Sequence, residues 1–250
     1  MNTAKVYMTK LLRDVRKDWD LYLMLIPGLV FLAIFKYTPM YGIIIAFKDF
    51  NIFDGMRASP WVGLDNFERL IDSPEFARVF RNTLIISIYK IVFLFPIPII
   101  LAILLNELKN MIFKRSVQTI IYLPHFLSWV IVSGLFIDLL STNGGLVNKL
   151  IVHFGGEPIA FFMDTRVFRS LLVTSAGWKE SGWNTIIYLA AITAIDPQLY
   201  EAAKIDGAGR FRQIWHITLP GMTPVIALML ILRLGNILEA GTEQILVMYN

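Results

Sequence analysis

Five long apolar runs, separated by polar stretches, set the pattern of this chain. Leu21 to Phe47 carries one charge, Lys36, and Thr83 to Leu105 carries one, Lys90. Val117 to Leu140 holds only His125 and Asp138, Ser170 to Ile195 carries Lys179 and Glu180, and Gly221 to Leu238 carries Arg233. A bilayer core about 30 Å thick is crossed by roughly 20 apolar residues in an α-helix. Backbone amides in lipid must find partners within a helix or a closed barrel, and none of these runs alternates as a barrel strand does. The pattern predicts an all-α integral membrane protein, a helical bundle with five spans.

The polar stretches orient those spans, because Lys and Arg near span ends favour the inner side. With the N-terminus cytoplasmic, the inner segments hold eleven: Lys5, Lys10, Arg13, Arg16, Lys17, Lys109, Lys114, Arg115, Lys204, Arg210 and Arg212. The longer outer loops hold eight. This places the segment 196–220, between spans four and five, in the cytoplasm. The basic stretch before the first run resembles a signal peptide only superficially, since the run is too long and no small-residue cleavage site ends it. Within residues 1–20, Val6 to Trp19 is expected to lie amphipathically on the inner membrane surface. The outer loop 48–80 has turn chemistry at Asp54-Gly55 and Ser59-Pro60, then a short helix capped by Ser73 with Pro74 at its first position. No repeat or soluble domain interrupts residues 1–250, which read as a single transmembrane domain.

Composition narrows the function. Of 250 residues 56% are hydrophobic and 17% charged, fewer charges than the quarter or so usual in a soluble domain. The absence of cysteine excludes disulfides, thiolate metal sites and cysteine nucleophiles. His125, His153 and His216 are far apart and form no H-E-x-x-H, so neither a metal cofactor nor a hydrolase is expected. The net charge of +4 resides mainly at membrane-flanking positions rather than in a basic and aromatic patch, which argues against nucleic acid.

The most informative segment is DPQLYEAAKIDGAGRFRQIWHITLP, Asp196 to Pro220. Asp196 can cap free amides, Pro197 fixes the first turn, and Ala202 and Ala203 are strong helix formers. Asp206-Gly207 then breaks the helix, because glycine enters positive φ without steric penalty. A second short helix is expected over Arg210 to Thr218, ending at Pro220. Helix, sharp turn and helix make a shape that can plug a groove on a partner, although an ordinary hairpin between two spans would look much the same.

Spacing decides between them. Glu201-Ala202-Ala203 is followed after three residues by Gly207, after nine more by Ile217, and then by Leu219-Pro220. This resembles the EAA loop of the membrane subunits of binding-protein-dependent ABC importers. The stretches YLMLIPGLVFLAIFKYTPMYGIIIAFKDFN, WVGLDNFERLI, RNTLIIS, YLPHFLSW and GWNTIIYLAAITAIDPQLYEAAKIDGA extend the resemblance, to sugar-importer permeases of the branch associated with complex polysaccharides. The resemblance implies a multi-pass permease of a bacterial plasma membrane, forming half of the path for a sugar or oligosaccharide. It implies partners: a cytoplasmic ABC ATPase dimer, a second and different permease, and an extracellular lipid-anchored solute-binding protein, all within or against membrane lipid. It also implies that Glu201, Ala202, Ala203, Asp206, Gly207, Ile217, Leu219 and Pro220 couple the chain to the ATPase. Such permeases usually have six spans, so relative to the family this chain is expected to lack a C-terminal span. The chain lacks G-x-x-x-x-G-K-[ST], so ATP hydrolysis is expected on separate subunits.

Ionisable residues at a helix centre cost roughly 2.5–3.5 kcal/mol on insertion scales, so each needs a reason. Lys36 and Lys90 are expected to snorkel to an interface, and His125 to bond a carbonyl freed by the kink at Pro124. In GWKESGWNTIIY, Glu180, Asn184 and Tyr188 share one helical face. Trp178 and Trp183 offer flat rings of the kind that stack on sugars. This stretch reads equally as an aromatic belt at the outer interface or as the lining of a sugar path. Other solutes for the same family, or an ion-coupled secondary transporter, are the alternative functions; inverted halves, the mark of the latter, are not evident.

Overall fold

The computed structural model of the chain describes residues 17–248. Lys5, Lys10, Arg13, Arg16 and most of the amphipathic segment expected over 1–20 lie outside the described residues. All regular structure among the described residues is helical, apart from one isolated bridge between Lys48 and Trp61. Helices of seven residues or more are numbered α1 to α11 below. The chain divides into two compact units, Met1–Arg78 and Val79–Asn250.

In the first unit α1, Trp19–Leu32, runs on through a wide π turn, Ala33–Tyr37, and a tightened stretch, Tyr41–Phe47, as 29 unbroken residues. The π turn precedes Pro39, which has no N–H to give, and the Thr38 hydroxyl donates to the Ala33 carbonyl at 2.8 Å. Every residue from Trp19 to Tyr41 is exposed. The end of this helix is clasped by the WVGLDNF stretch. Asn66, in α2 (Asp65–Asp72), donates from Nδ2 to the carbonyls of Ala46 at 3.1 Å and Lys48 at 2.9 Å. Phe47 stacks on Trp61 and tilts against Phe67, with centroids 6.1 and 5.3 Å away.

The helix expected to be short after Ser73 is instead the start of a long one. α3 (Pro74–Tyr89), a π turn over Lys90–Leu94 and α4 (Pro96–Glu107) form 34 continuous residues. The Ser73 hydroxyl does accept from the Phe76 amide, at 3.4 Å, but the apolar pattern carries the helix onward without a stop. The π turn lies just before Pro96 and Pro98, where the regular ladder loses two donors.

The expected single helix over Val117 to Leu140 is broken. α5 (Met111–Tyr122) tightens into Leu123–Phe126, and α6 (Trp129–Leu140) leaves at a bend of 103°. Pro124 begins the break and Ser128 restarts the helix, its hydroxyl accepting from the Ile131 amide at 3.3 Å. α7, Leu146–His153, is locked by Asn148, which donates to the carbonyls of Leu140, Ser141 and Ile159 at 3.0–3.1 Å. α8, Thr165–Thr193, is an unbroken run of 29 residues. α9 (Pro197–Ile205), α10 (Leu219–Gly235) and α11 (Thr242–Met248) complete the chain.

Three helices among the described residues are long and apolar enough to cross a membrane, or four if the bent pair counts as one span. α8 is long enough but fails on composition. Its polar positions have an internal use: Ser175, Lys179, Ser181 and Thr185 are buried. Small residues let neighbours approach it closely. A methyl group on Gly177 would strike Leu94, and one on Gly182 would strike the backbone carbonyl of Ile121 in α5. Below them Ala102 of α4, Tyr188 and Ile192 of α8, and Met222 of α10 form a buried apolar cluster.

Gly182→Ala is therefore expected to push α8 off α5 and to destabilise the chain by about 1–3 kcal/mol, measured as a lowered thermal midpoint in detergent. Gly235→Ala, with open space around it, should leave that midpoint near the native value.

Candidate functional sites

The loop between α8 and α10 is built as a stiff bracket. Asp196 accepts from the Gln198 amide at 2.9 Å and Pro197 opens α9. At the other end the Ala208 amide donates to the Ala203 carbonyl at 2.8 Å and the Gly207 amide to the Lys204 carbonyl at 3.1 Å. These paired bonds are the Schellman stop, which requires a left-handed residue where Gly207 sits with φ +74°. The spacing from Ala203 to Gly207 thus has a geometric cause. Two further contacts brace the bracket from behind: Tyr200 Oη to Thr218 Oγ1 at 3.0 Å, and Gln213 Nε2 to the Ala208 carbonyl at 2.8 Å. Arg210 reaches Glu107 at the end of α4, 3.7 Å away.

The second arm does not end at Pro220. Arg210–Gln213 passes through a π turn, Ile214–Thr218, directly into α10, giving 26 continuous residues to Gly235. The wide turn takes up the missing donor of Pro220. Glu201, Ala202, Asp206, Gly207 and Pro220 are exposed, whereas Ala203, Ile217 and Leu219 are half-buried. Two residues that sequence reasoning passed over stand out: Ile205 is 87% exposed and Phe211 89%, one on each side of Gly207. Their signal was present, as isolated apolar residues in a polar loop.

A second region lies along α8. Lys90 does not snorkel. It is 7% exposed, and its ammonium donates to the Ala240 carbonyl and to Gln244 Oε1, both at 2.8 Å. Gln244 in turn donates from Nε2 to the Leu172 carbonyl at 2.7 Å and to Ser175 Oγ at 2.8 Å. Lys90, α8 and α11 are thereby tied together by one fully buried amide. Gly241 makes the turn at φ +94°, where a methyl group would lie 2.8 Å from Lys90 Nζ. His125 does not bond a freed carbonyl either. Its Nδ1 is buried without a partner among the described residues, its ring lies flat on Trp183 at 4.5 Å, and its own carbonyl accepts from Lys179 at 2.8 Å.

Of the five candidates for a substrate path, Glu180 and Asn184 come together. They line a cavity of about 360 Å³ with Arg233 and His125. Tyr188 meets Asn184 and Arg233 at a smaller cavity of about 160 Å³, although the ring itself is 2% exposed. Trp183 belongs to the His125 stack, and its indole also meets Phe126 edge-on at 5.5 Å. Trp178 faces elsewhere, against Phe136 at 6.0 Å and into an apolar groove with Tyr89 and Phe93. Arg233 was visible in the sequence as the one charge of its run, but its side chain's destination was not.

Residues 95–248 match the family described as the binding-protein-dependent transport system inner membrane component. The chain is 54% identical over 230 residues to the polygalacturonan/rhamnogalacturonan transport system permease protein YteP of Bacillus subtilis (strain 168), covering 92% of this chain and 72% of that one. It also resembles a chain of a bacterial ABC transporter involved in the import of the acidic polysaccharide alginate. The TM-score is 0.87 and the identity 43%, over 96% of this chain and 81% of the other. A second structure of a bacterial alginate ABC transporter, in complex with an alginate pentasaccharide-bound periplasmic protein, matches with TM-score 0.86 and 42% identity, over 96% and 80%.

Gly207→Val would force a β-branched residue into a left-handed turn, at a cost of roughly 1–2 kcal/mol. Nothing crowds this site, so transport should fall with membrane abundance unchanged; uptake beside an immunoblot checks this. Gln244→Leu strips the Lys90 ammonium of an acceptor and should cost about 2 kcal/mol. The double variant Lys90→Met/Gln244→Leu should recover much of that loss in thermal unfolding, since no buried charge is then left unpaired.

Proposed function

Since the chain belongs to the family of binding-protein-dependent transport system inner membrane components, we propose that it forms one half of the translocation path of an ATP-driven importer for an oligosaccharide. Membership makes it a subunit of the bacterial plasma membrane and a permease, not itself an enzyme. The polysaccharide substrates in the names of its relatives support the choice of solute. Under this reading five spans cross the bilayer from a cytoplasmic N-terminus, with the broken α5–α6 pair as the third and the polar α8 as the fourth. α8 is admissible as a span because its polar groups turn inward onto a cavity and onto neighbouring helices, where lipid does not reach.

The bracket at 196–220 carries the mechanism. Its outer surface combines the small Ala202, the charged Glu201 and the exposed Ile205 and Phe211. Such a knuckle can seat in a groove of a separate ATPase subunit. Its inner surface is fixed to the membrane helices through Tyr200–Thr218 and Arg210–Glu107. Because the second arm is continuous with α10, a displacement of the knuckle moves a span directly, without a hinge at Pro220. A ligand or partner shifts a conformational balance only by its differential affinity for the two states. A stiff lever makes that difference available to helices lining the path. A second permease subunit supplies the other half, and an extracellular solute-binding protein delivers the sugar.

The test is uptake of a panel of labelled neutral and acidic oligosaccharides by cells with and without the gene. Deletion should abolish uptake of one class. That uptake should persist when a protonophore collapses the ion gradient and stop when ATP is depleted. The reverse dependence would replace the ATP-driven reading with an ion-coupled one.

A further inference from the structure

Arg233 is the common wall of three cavities, of about 160, 460 and 360 Å³. Glu180 and Glu243 line both larger cavities, and Asn184 lines the smallest and the 360 Å³ one. The three cavities therefore share one residue, Arg233. A last-turn arginine is favoured by the helix dipole alone. Here, however, Arg233 is half-buried and has no hydrogen-bond or ion-pair partner among the described residues.

The two lysines nearby differ. Lys90 is held by the Ala240 carbonyl and Gln244, and Lys179 by the His125 carbonyl and the face of Trp129, 5.5 Å from its centroid. Both charges rest on neutral acceptors in the wall. Their donors are engaged, while their positive charge has no carboxylate in contact. Arg233 alone keeps its fork of N–H donors free. Glu180 and Glu243 share its cavities without pairing with it, so its planar fork is left to fit an incoming carboxylate by two parallel bonds.

We infer that the chamber around Arg233 receives the carboxylate of an acidic sugar, so that the transported oligosaccharide carries carboxylates and Arg233 selects it. The inference rests on the importer reading given above. Glu180 and Asn184, one turn apart on α8, are placed to accept from and donate to the hydroxyls of the same sugar ring. The carboxylates in the wall also set an upper limit on charge. Glu180, Glu243 and, in the 460 Å³ cavity, Glu239 repel any anion, a doubly charged phosphate about twice as strongly as a singly charged carboxylate, and one guanidinium offsets the single charge more nearly. Mixed signs in one chamber hold an acidic chain in a single orientation without binding it too tightly to leave.

The experiment measures uptake by cells carrying the intact importer, with the native chain, Arg233→Gln or Arg233→Lys. The probes are labelled trigalacturonate and its methyl ester, which has the same size and hydroxyls but no charge. The solute-binding protein is identical throughout, so a change in the acid-to-ester ratio between variants belongs to this chain. Arg233→Gln is expected to lower acid uptake about 10-fold, the loss of one charge-assisted pair, and ester uptake by less than about 2-fold. Arg233→Lys, which keeps the charge but loses the fork, should fall between; its ratio serves if the glutamine variant is poorly inserted. Unchanged acid uptake, or equal loss of both sugars at equal membrane abundance, would overturn the inference. ATP-dependent uptake of neutral sugars alone by the native importer would overturn it too, while leaving the importer reading intact. Absence of any ATP-dependent sugar uptake would remove the importer reading itself, and the inference with it.

Discussion

A helix surrounded by lipid gains little by hiding apolar side chains, because the lipid is as apolar as they are. What holds α8 in place is therefore close approach and internal hydrogen bonding. Gly182 admits the Ile121 carbonyl to a distance that any side chain would forbid, and Gly177 leaves room for the end of the Leu94 side chain. Ser175, Ser181 and Thr185 are buried, and the hydroxyls of Ser175 and Thr185 are turned back onto carbonyls of their own helix at 2.7 Å. The elements of the second unit take their positions from this axis: α4 and α10 pack on its lower half, α5 and α6 on its middle, and α11 on its upper half.

The same constraint explains why α11 exists. After α10 the chain turns at Gly241 and sends Gln244 into the protein, where its amide serves Lys90, Leu172 and Ser175 at once. An ammonium that would be prohibitive in hydrocarbon becomes an anchor when a carbonyl and an amide meet it. Lys90 and Gln244 also line the 460 Å³ cavity that Arg233 borders, so part of that cavity's wall is held by buried hydrogen bonds.

The bracket is held differently. There a helix stop, a cap and two side-chain ties give stiffness within a short loop. The bracket and the chamber share α10, which begins as one arm of the first and ends at Arg233 in the second. Phe211 and Arg233 are therefore joined by continuous helix.

The sequence by itself determined the helical class, the position of the apolar runs, and the start and glycine stop of the bracket's first arm, although not the continuation of its second arm into α10. These depend on local rules: run length against bilayer thickness, Asp-Pro to start a helix, and glycine to end one. Glu180 and Asn184 were also legible as one face, because helical periodicity fixes which side chains align. The tertiary structure decided what periodicity cannot reach. It broke Val117–Leu140 at Pro124 and Ser128, and carried the helix after Ser73 onward without a stop. It turned Trp178 away from Glu180, and gave Lys90 a partner 154 positions along the chain. Proline permits a sharp break or a wide turn, and only the neighbours' packing selects between them. A lone charge in an apolar run calls for a partner, and only the fold brings that partner within reach.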